Sequence, residues 1–283
     1  MKKFKEMAMH VIFLLAACVS IFAIAVICFF MFANGFPAMG RIGVLRFLLG
    51  SEWKPGNDIY GIFPMILGSV YVTAGALAVG VPIGLFTAVF MARLCPKKIY
   101  AVLKPATDLL AGIPSVIYGF FGLVVMVPAI ADICDISNGA TMLTASLLLG
   151  IMILPTIVSV CEAAIRAVPE NYYTGSLALG ATRERSIFKC ILPAAKSGIC
   201  AGIVLGIGRA LGETMAVIMV CGNQARMPEG IFKGCRTLTA NIVMEMGYAS
   251  GLHREALIAT AVVLFVFILA INLIFSVLKR KSI

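Results

Sequence analysis

Ser176-Leu177-Ala178-Leu179-Gly180-Ala181-Thr182-Arg183-Glu184-Arg185-Ser186-Ile187-Phe188-Lys189-Cys190-Ile191-Leu192-Pro193 is a polar interruption between two strongly apolar runs. It reads as the end of a short helix, a hinge at Gly180, a basic amphipathic turn and a Leu-Pro stop. A membrane protein ordinarily crosses such a gap with a brief loop. A structured interruption suits a soluble partner that pushes on the membrane domain, and this expectation organises the reading of the rest of the chain.

Composition sets the class. Hydrophobic residues make up 61% and charged residues 13% of the 283 residues, whereas soluble domains carry about 25% charged residues; the mean hydropathy is +1.04. A helix needs about 20 mostly apolar residues to cross a bilayer. Six such spans are expected, roughly 10–33, 62–92, 107–131, 141–166, 194–221 and 255–278. Backbone groups inside lipid must satisfy one another, so spans of this length are helices. The fold class is therefore all-α and polytopic. Two regions are expected, an N-terminal helix with an outer segment over 1–61 and a core of five helices over 62–283 with its cytoplasmic loop at about 167–193.

Orientation follows from Lys and Arg placement. One set of connections and ends holds Lys2, Lys3, Lys5, Arg93, Lys97, Lys98, Lys104, Arg166, Arg183, Arg185, Lys189, Lys196, Lys279, Arg280 and Lys281, which is 15 of the 23 basic residues. The opposite set holds seven, and Arg209 sits inside a span. Both termini are thus expected in the cytoplasm. The net charge of +10 is mostly this topology signal, and no basic soluble domain exists that would engage nucleic acid. Lys2-Lys3-Phe4-Lys5 followed by apolar residues resembles a signal peptide, and Leu15-Ala16-Ala17-Cys18 resembles a lipoprotein cleavage box, but the run continues to Phe32. Signal-peptide apolar regions are about 7–15 residues long, so an uncleaved first helix is expected.

The outer segment Asn34–Gly61 contains the single tryptophan, Trp53, read as an anchor at the membrane–water boundary. Span two carries Pro64 and Pro82 and is expected to tilt or kink. The last outer segment, Gly222–Arg254, is long enough to be structured or to receive a partner. Nine cysteines include no CxxC pair, which argues against a disulfide framework or metal site. Only Cys134, Cys221 and Cys235 could face an oxidising exterior, so any bridge would be among these. His10 and His253 stand alone near membrane edges and read as interface residues.

Two stretches within the spans carry chemistry. Gly112-Ile113-Pro114-Ser115-Val116-Ile117-Tyr118-Gly119-Phe120 breaks or loosens a helix. Such backbone is tolerated at membrane depth where it faces protein or a watery cavity. It is either a pathway-lining kink offering the Ser115 and Tyr118 hydroxyls or a packing kink with close glycine contacts. The second stretch is Gly208-Arg209-Ala210-Leu211-Gly212-Glu213-Thr214-Met215. Arg209 lies about 15 residues, roughly 22 Å, into its span, where a charge costs about 2.5–3.5 kcal/mol on insertion scales. On a continuous helix Arg209 and Glu213 are i and i+4 and share a face. They form either an ion pair that holds helices in register or a substrate-pathway and gating pair with Thr214 beside it. Arg suits planar, forked contact with phosphate or carboxylate. At neutral pH phosphate keeps a proton that a carboxylate can accept, whereas sulfate has none. Nearer the cytoplasm, Glu162 and Arg166 are again i, i+4 and are expected as a snorkelled interface pair.

On these residues the chain resembles the phosphate-specific ABC importer permeases of bacteria, and the PstC-type subunit in particular. Four stretches carry the likeness: Phe47-Leu48-Leu49-Gly50 through Trp53-Lys54-Pro55 to Tyr60-Gly61-Ile62-Phe63-Pro64; Gly112 to Phe120; the loop, in which Gly180 is followed at the permease spacing by Cys190-Ile191-Leu192-Pro193; and Gly208 to Val217. The chain departs from the general loop motif in having Thr174-Gly175-Ser176 where Glu-Ala-Ala is typical. Glu162-Ala163-Ala164 is a false match, because the sixth residue after Glu162 is Val168 and not glycine.

The resemblance implies a type I ABC-importer permease with six transmembrane helices that alternates between outward- and inward-facing states. It implies a second, PstA-like permease, a PstB-like ATPase dimer, a PstS-like outer phosphate-binding protein, and inorganic phosphate and membrane lipid as the small-molecule contacts. The helix around Asn171–Ile187 would sit in a groove of the ATPase. Ala178, Leu179, Gly180, Ala181, Leu192 and Pro193 would form the coupling loop, while Arg209, Glu213, Thr214, Ser115 and Tyr118 would line or gate the pathway. The chain holds no GxxxxGK[ST] phosphate loop, so ATP would be used by the partner and no cofactor is expected here. A sulfate or molybdate permease and an ion-coupled secondary carrier are the alternatives; a carrier would ordinarily show an inverted repeat.

Overall fold

A computed structural model describes residues 2–280. Lys281 lies outside the described residues, as do the side chains of Lys2, Lys3, Lys5, Lys279 and Arg280. The regular elements of the described chain are helices apart from one small hairpin. Its elements are α1 (Lys2–Ile42), α2 (Val44–Leu49), the antiparallel pair β1 (Trp53–Lys54) and β2 (Ile59–Tyr60), α3 (Phe63–Val89), α4 (Lys97–Gly112), α5 (Ser115–Phe121), α6 (Val127–Ile133), α7 (Met142–Arg166), α8 (Glu170–Ala178), α9 (Arg183–Ser186), α10 (Leu192–Gly212), α11 (Met215–Val220), α12 (Leu238–Met246) and α13 (Gly251–Arg280). Widened π-type turns over Phe90–Leu94, Gly122–Met126 and Ile187–Ile191 extend α3, join α5 to α6 and join α9 to α10. Such turns occur mostly as single insertions in helices.

Six helices are long and apolar enough to cross a membrane: Met9–Ile42, Phe63–Leu94, Ser115–Ile133, Met142–Arg166, Arg183–Gly212 and Gly251–Phe275. The chain is a multi-pass, all-α membrane protein, as expected, with different limits for several spans. The first helix runs through Pro37 to Ile42 instead of ending near residue 33. The third breaks at Ile113-Pro114, both extended, so α4 is a separate amphipathic helix. The fifth stops at Gly212 instead of continuing to 221, because Glu213 turns extended and α11 starts anew. A proline removes a helix donor and restricts the residue before it, which accounts for the first of these two breaks.

The burial pattern makes α7 the axis of the bundle. In its most apolar stretch 61% of the residues are buried, against none in that of α1. Leu148, Leu149, Met152, Ile153 and Ile157 of α7 share one core with Val72 and Ala76 of α3, Ile199 of α10 and Val217 and Val220 of α11. Apolar surface gains nothing by leaving lipid for another helix, so this core is held by close packing and by hydrogen bonds across helices. Thr141 caps α7, its hydroxyl accepting from the Thr144 amide at 3.3 Å. This satisfies one of the donors that a helix start leaves unpaired.

A second core lies at one end of the bundle, where Ala38 and Met39 of α1, Phe47 of α2, Trp53, Tyr60, Met65 of α3, Leu238 of α12 and Leu257 and Val262 of α13 meet. Trp53 belongs here and is only 6% exposed, which corrects its reading as a boundary anchor. Its indole Nε1–H donates to Glu245 Oε2 at 2.8 Å and its ring stands edge-on to Tyr60. His253 packs part-buried beside this core, with Nε2 2.8 Å from the same Glu245 oxygen, while Arg236 Nη1 donates to Glu245 Oε1 at 2.6 Å. A buried carboxylate with three partners is satisfied, so the hairpin, α12 and α13 are locked together by Glu245.

The cytoplasmic-side expectation for Glu162 also changes. The residue is 3% exposed; its carboxylate accepts from Tyr100 Oη at 2.8 Å and Arg166 Nε at 2.8 Å, with Lys104 Nζ at 3.5 Å. The Arg166 guanidinium lies 4.5 Å from the centre of the Tyr100 ring. Arg166 stays partly exposed while its Nη2 also donates to the Met91 carbonyl at 2.8 Å; Glu162 is the buried post to which α4 is tied. The i, i+4 spacing points only to a local pair because it says nothing of a second helix.

Candidate functional site

The geometry begins with the break between α10 and α11. Glu213 is not paired with Arg209. Its backbone is extended (φ −68°, ψ 132°), and its Oε1 accepts from the Thr214 amide at 3.0 Å and the Ala216 amide at 3.4 Å. The carboxylate thereby closes two of the open donors at the start of α11, where a negative group is favoured. Glu213 Oε2 takes part in none of the hydrogen bonds among the described residues. The expected i, i+4 pairing is thus corrected: it requires an unbroken helix, and the helix ends at Gly212.

Arg209, near the end of α10, reaches across to α7 and donates from Nη1 to Thr156 Oγ1 at 3.1 Å. Both residues are half-buried. A hydroxyl leaves the guanidinium charge uncompensated and most of its donors free for another acceptor. Tyr118 is buried on α5, its hydroxyl donating to the Leu110 carbonyl at 2.9 Å. Ser115 is half-buried one turn earlier, at the start of α5. Thr214 donates from its hydroxyl to the Gly212 carbonyl at 3.1 Å, and Thr239 of α12 donates to the Glu213 carbonyl at 3.0 Å. Both broken segments therefore lie beside each other. A Cβ on Gly119 of α5 would stand 2.9 Å from Ala216 Cα and 2.7 Å from Met219 Sδ of α11, so only glycine permits this approach. Arg209, Glu213, Thr214 and Tyr118 share one region of the bundle, with Ser115 a turn away on the same helix. Thr156 and Thr239 escaped the sequence reading; Thr156 follows Pro155 in mid-span, a weak signal for a polar group used inside the membrane.

The interruption at 176–193 folds as a helix, a left-handed hinge and a second helix. Helix α8 ends at Ala178, and Gly180 adopts φ 84°, a backbone region open mainly to glycine. Its amide donates to the Leu177 carbonyl at 2.9 Å, and the Ala181 amide to Ser176 at 3.1 Å, closing the free carbonyls of the helix end. Leu179 projects from this turn at 91% exposure. Thr182 caps α9 by accepting from the Arg185 amide at 3.3 Å. Ile187 and Ile191 are buried at the base, and Leu192-Pro193 opens α10. Arg93, just beyond α3, anchors the start of the loop: Nη1 donates to Glu170 at 2.7 Å and Nη2 to the carbonyls of Ile165 and Val168 at 3.1 and 3.2 Å.

Comparison with known proteins identifies the family and the fold. Residues 80–283 match the family described as binding-protein-dependent transport system inner membrane component. The probable ABC transporter permease protein YqgH of Bacillus subtilis is 39% identical over 248 residues, spanning 85% of this chain and 80% of that protein. The phosphate transport system permease protein PstC of Mesorhizobium japonicum is 33% identical, spanning 83% and 78%, and a probable PstC of Methanocaldococcus jannaschii is 32% identical, spanning 87% and 84%. Among solved structures, a chain of a bacterial alginate ABC transporter superposes with a TM-score of 0.65 at 16% identity, covering 94% of each chain. A chain of the inward-facing MetNI methionine ABC transporter superposes with 0.62 at 19%, covering 82% of this chain and all of that one. At these identities the structures speak for the fold alone, which is that of the type I ABC-importer permeases. The family match, the relatives and the fold together show that the chain belongs to the binding-protein-dependent transport system inner membrane components and, among them, to the PstC-type permeases.

Proposed function

We propose that this chain is one of two permeases of an ATP-driven importer of inorganic phosphate, with Arg209 as the oxyanion contact in the membrane. The observation that carries the reading is the Arg209 guanidinium held within the bundle by a neutral hydroxyl, Thr156 Oγ1 at 3.1 Å, beside a carboxylate occupied elsewhere. An arginine whose charge is left unpaired at membrane depth is costly and suits an anion that arrives and leaves. Glu213 Oε2 lies on the same broken segment and would accept the remaining proton of phosphate, which sulfate lacks. The PstC relatives add support for phosphate over other oxyanions.

The second permease, an ATPase dimer and an outer phosphate-binding protein complete the machine. ATP hydrolysis belongs to the ATPase. Leu179, an apolar side chain almost wholly outside the fold, would seat in the ATPase groove, with Ala178, Gly180 and Ala181 shaping the turn and Leu192-Pro193 passing its motion to α10. Both termini and this loop face the cytoplasm in this reading. Coupling of this kind needs each ligand to prefer one of two states. The test is phosphate uptake and phosphate-stimulated ATP hydrolysis in liposomes holding all four components. Arg209→Ala is expected to abolish uptake in an assembled complex. Uptake that persists in that variant overturns the role of Arg209, and uptake driven by membrane potential without ATP overturns the importer reading.

A further inference from the structure

The segment between α11 and α12 contains no helix and no paired strand, yet its ends are held tightly. The Cys235 amide donates to the Cys221 carbonyl at 3.0 Å, and Gly222 bridges Cys235 in parallel fashion. Arg236 Nε donates to the Asn223 carbonyl at 3.0 Å. The body of the segment folds onto the start of α7, where the Met142 and Leu143 amides donate to the carbonyls of Lys233 and Ile231 at 3.0 and 2.9 Å. At the neck of this loop Cys221 Sγ and Cys235 Sγ stand 3.3 Å apart, both thiols fully buried. Cys134, the third cysteine expected outside, is half-buried beyond the end of α6.

We propose that Cys221 and Cys235 are the sites of a disulfide that staples the outer loop Gly222–Gly234 and fixes the outer wall of the candidate pathway. The proposal rests on the reading that this segment faces the outside, where disulfides form and persist. Closing the bond needs a shift of a little over about 1 Å, to the usual S–S length of about 2.05 Å. The oxidant is a small-molecule or protein disulfide of that compartment. One cysteine thiolate attacks it, releases one thiol and forms a mixed disulfide. The second thiolate then attacks the protein sulfur of that mixed disulfide and releases the second thiol. The two cysteines lose two protons and two electrons, and the external disulfide is reduced to two thiols. Cross-linking a loop restrains its unfolded ensemble. The staple joins the end of α11, whose start Glu213 caps, to the segment leading to Thr239, which bonds the Glu213 carbonyl.

The experiment uses the full-length chain in the membrane of a host with an oxidising outer compartment. Cells are quenched in acid, free thiols are blocked under denaturing conditions, and disulfides are then reduced and marked with an alkylating agent of different mass. In parallel, intact cells receive a membrane-impermeant amine reagent that reads the side of the exposed Lys233. The expected result is the second label on Cys221 and Cys235 together, modification of Lys233 from outside, and transfer of Cys235 to the first label in Cys221→Ser. Impermeant reductant should also raise proteolytic cleavage within the loop several-fold. Both cysteines carrying the first label, with Lys233 modified from outside, overturns the disulfide while the topology stands. Lys233 reached only after the membrane is opened overturns the topology, and the proposal with it.

Discussion

At the residue scale, two charged side chains separate a structural role from a pathway role. Arg209 donates to a hydroxyl rather than a carboxylate, so Arg209→Lys keeps the charge but loses the planar fork. Phosphate uptake in the reconstituted complex should fall sharply with lysine and vanish with alanine, with ATPase assembly intact in both; equal uptake in all three proteins would remove Arg209 from the pathway. Glu213→Gln retains an oxygen able to accept from the Thr214 and Ala216 amides but loses the negative charge. It should leave folding nearly unchanged and lower the preference for phosphate over sulfate in competition uptake, whereas Glu213→Ala removes the cap and should cost about 0.5–2 kcal/mol in unfolding. Tyr100 supplies a pH signature. Its hydrogen bond to the Glu162 carboxylate, then burial, hold the phenol above its ordinary value of 10.0. A folded-state pKa above the unfolded one means a contribution fully present below about pH 10 and lost as pH rises through the folded value. Tyr100→Phe should abolish that alkaline component of the unfolding profile.

At the scale of elements, the helix breaks are the decisive features. Helices α5 and α11 touch through Gly119, with no room for a Cβ between it and Ala216. Gly119→Ala should force the two apart and destabilise by about 1–3 kcal/mol, seen as a lower unfolding midpoint and as altered uptake, because the start of the displaced helix is capped by Glu213. The tie of α4 to α7 makes a second case. Glu162 is buried, while Lys104 and Arg166 keep 31% and 45% side-chain exposure. Losing the carboxylate leaves those cations able to reach water, so Glu162→Ala should cost about 1–2 kcal/mol, below the 3–5 kcal/mol of fully buried pairs. Tyr100 and Lys104 reveal that partnership only once α4 lies on α7, so the sequence offered no sign of it.

At the scale of the whole molecule, the loop at 176–193 is built to be met from outside. Leu179 contributes nothing visible to this chain's own packing at 91% exposure. Leu179→Asp should therefore change the stability of the isolated permease by no more than about 0.5 kcal/mol, yet uncouple ATP hydrolysis from phosphate uptake and weaken ATPase retention during purification. A large loss of permease stability, or full coupling in the variant, would refute the docking role. The stretch of α1 from Val11 to Phe30, exposed nearly all round, fits a helix that meets lipid or a second permease along much of its length.

The sequence by itself determined the class, the number of spans, the interrupted loop with its glycine hinge and Leu-Pro end, and the identity of Arg209, Glu213 and Tyr118 as the residues to watch. Those features follow from composition, from runs long enough to cross a bilayer and from residues whose backbone or charge is unusual where they stand. Tertiary structure alone decided who partners whom. Arg209 meets Thr156 from 53 positions away and Trp53 meets Glu245 from 192 away, while the neighbouring Glu213 turns to cap the next helix. Local spacing predicts contacts only along an unbroken helix. Once the backbone leaves the helix at Gly212, or a side chain reaches another element, the nearest charge in sequence is no longer the nearest in space.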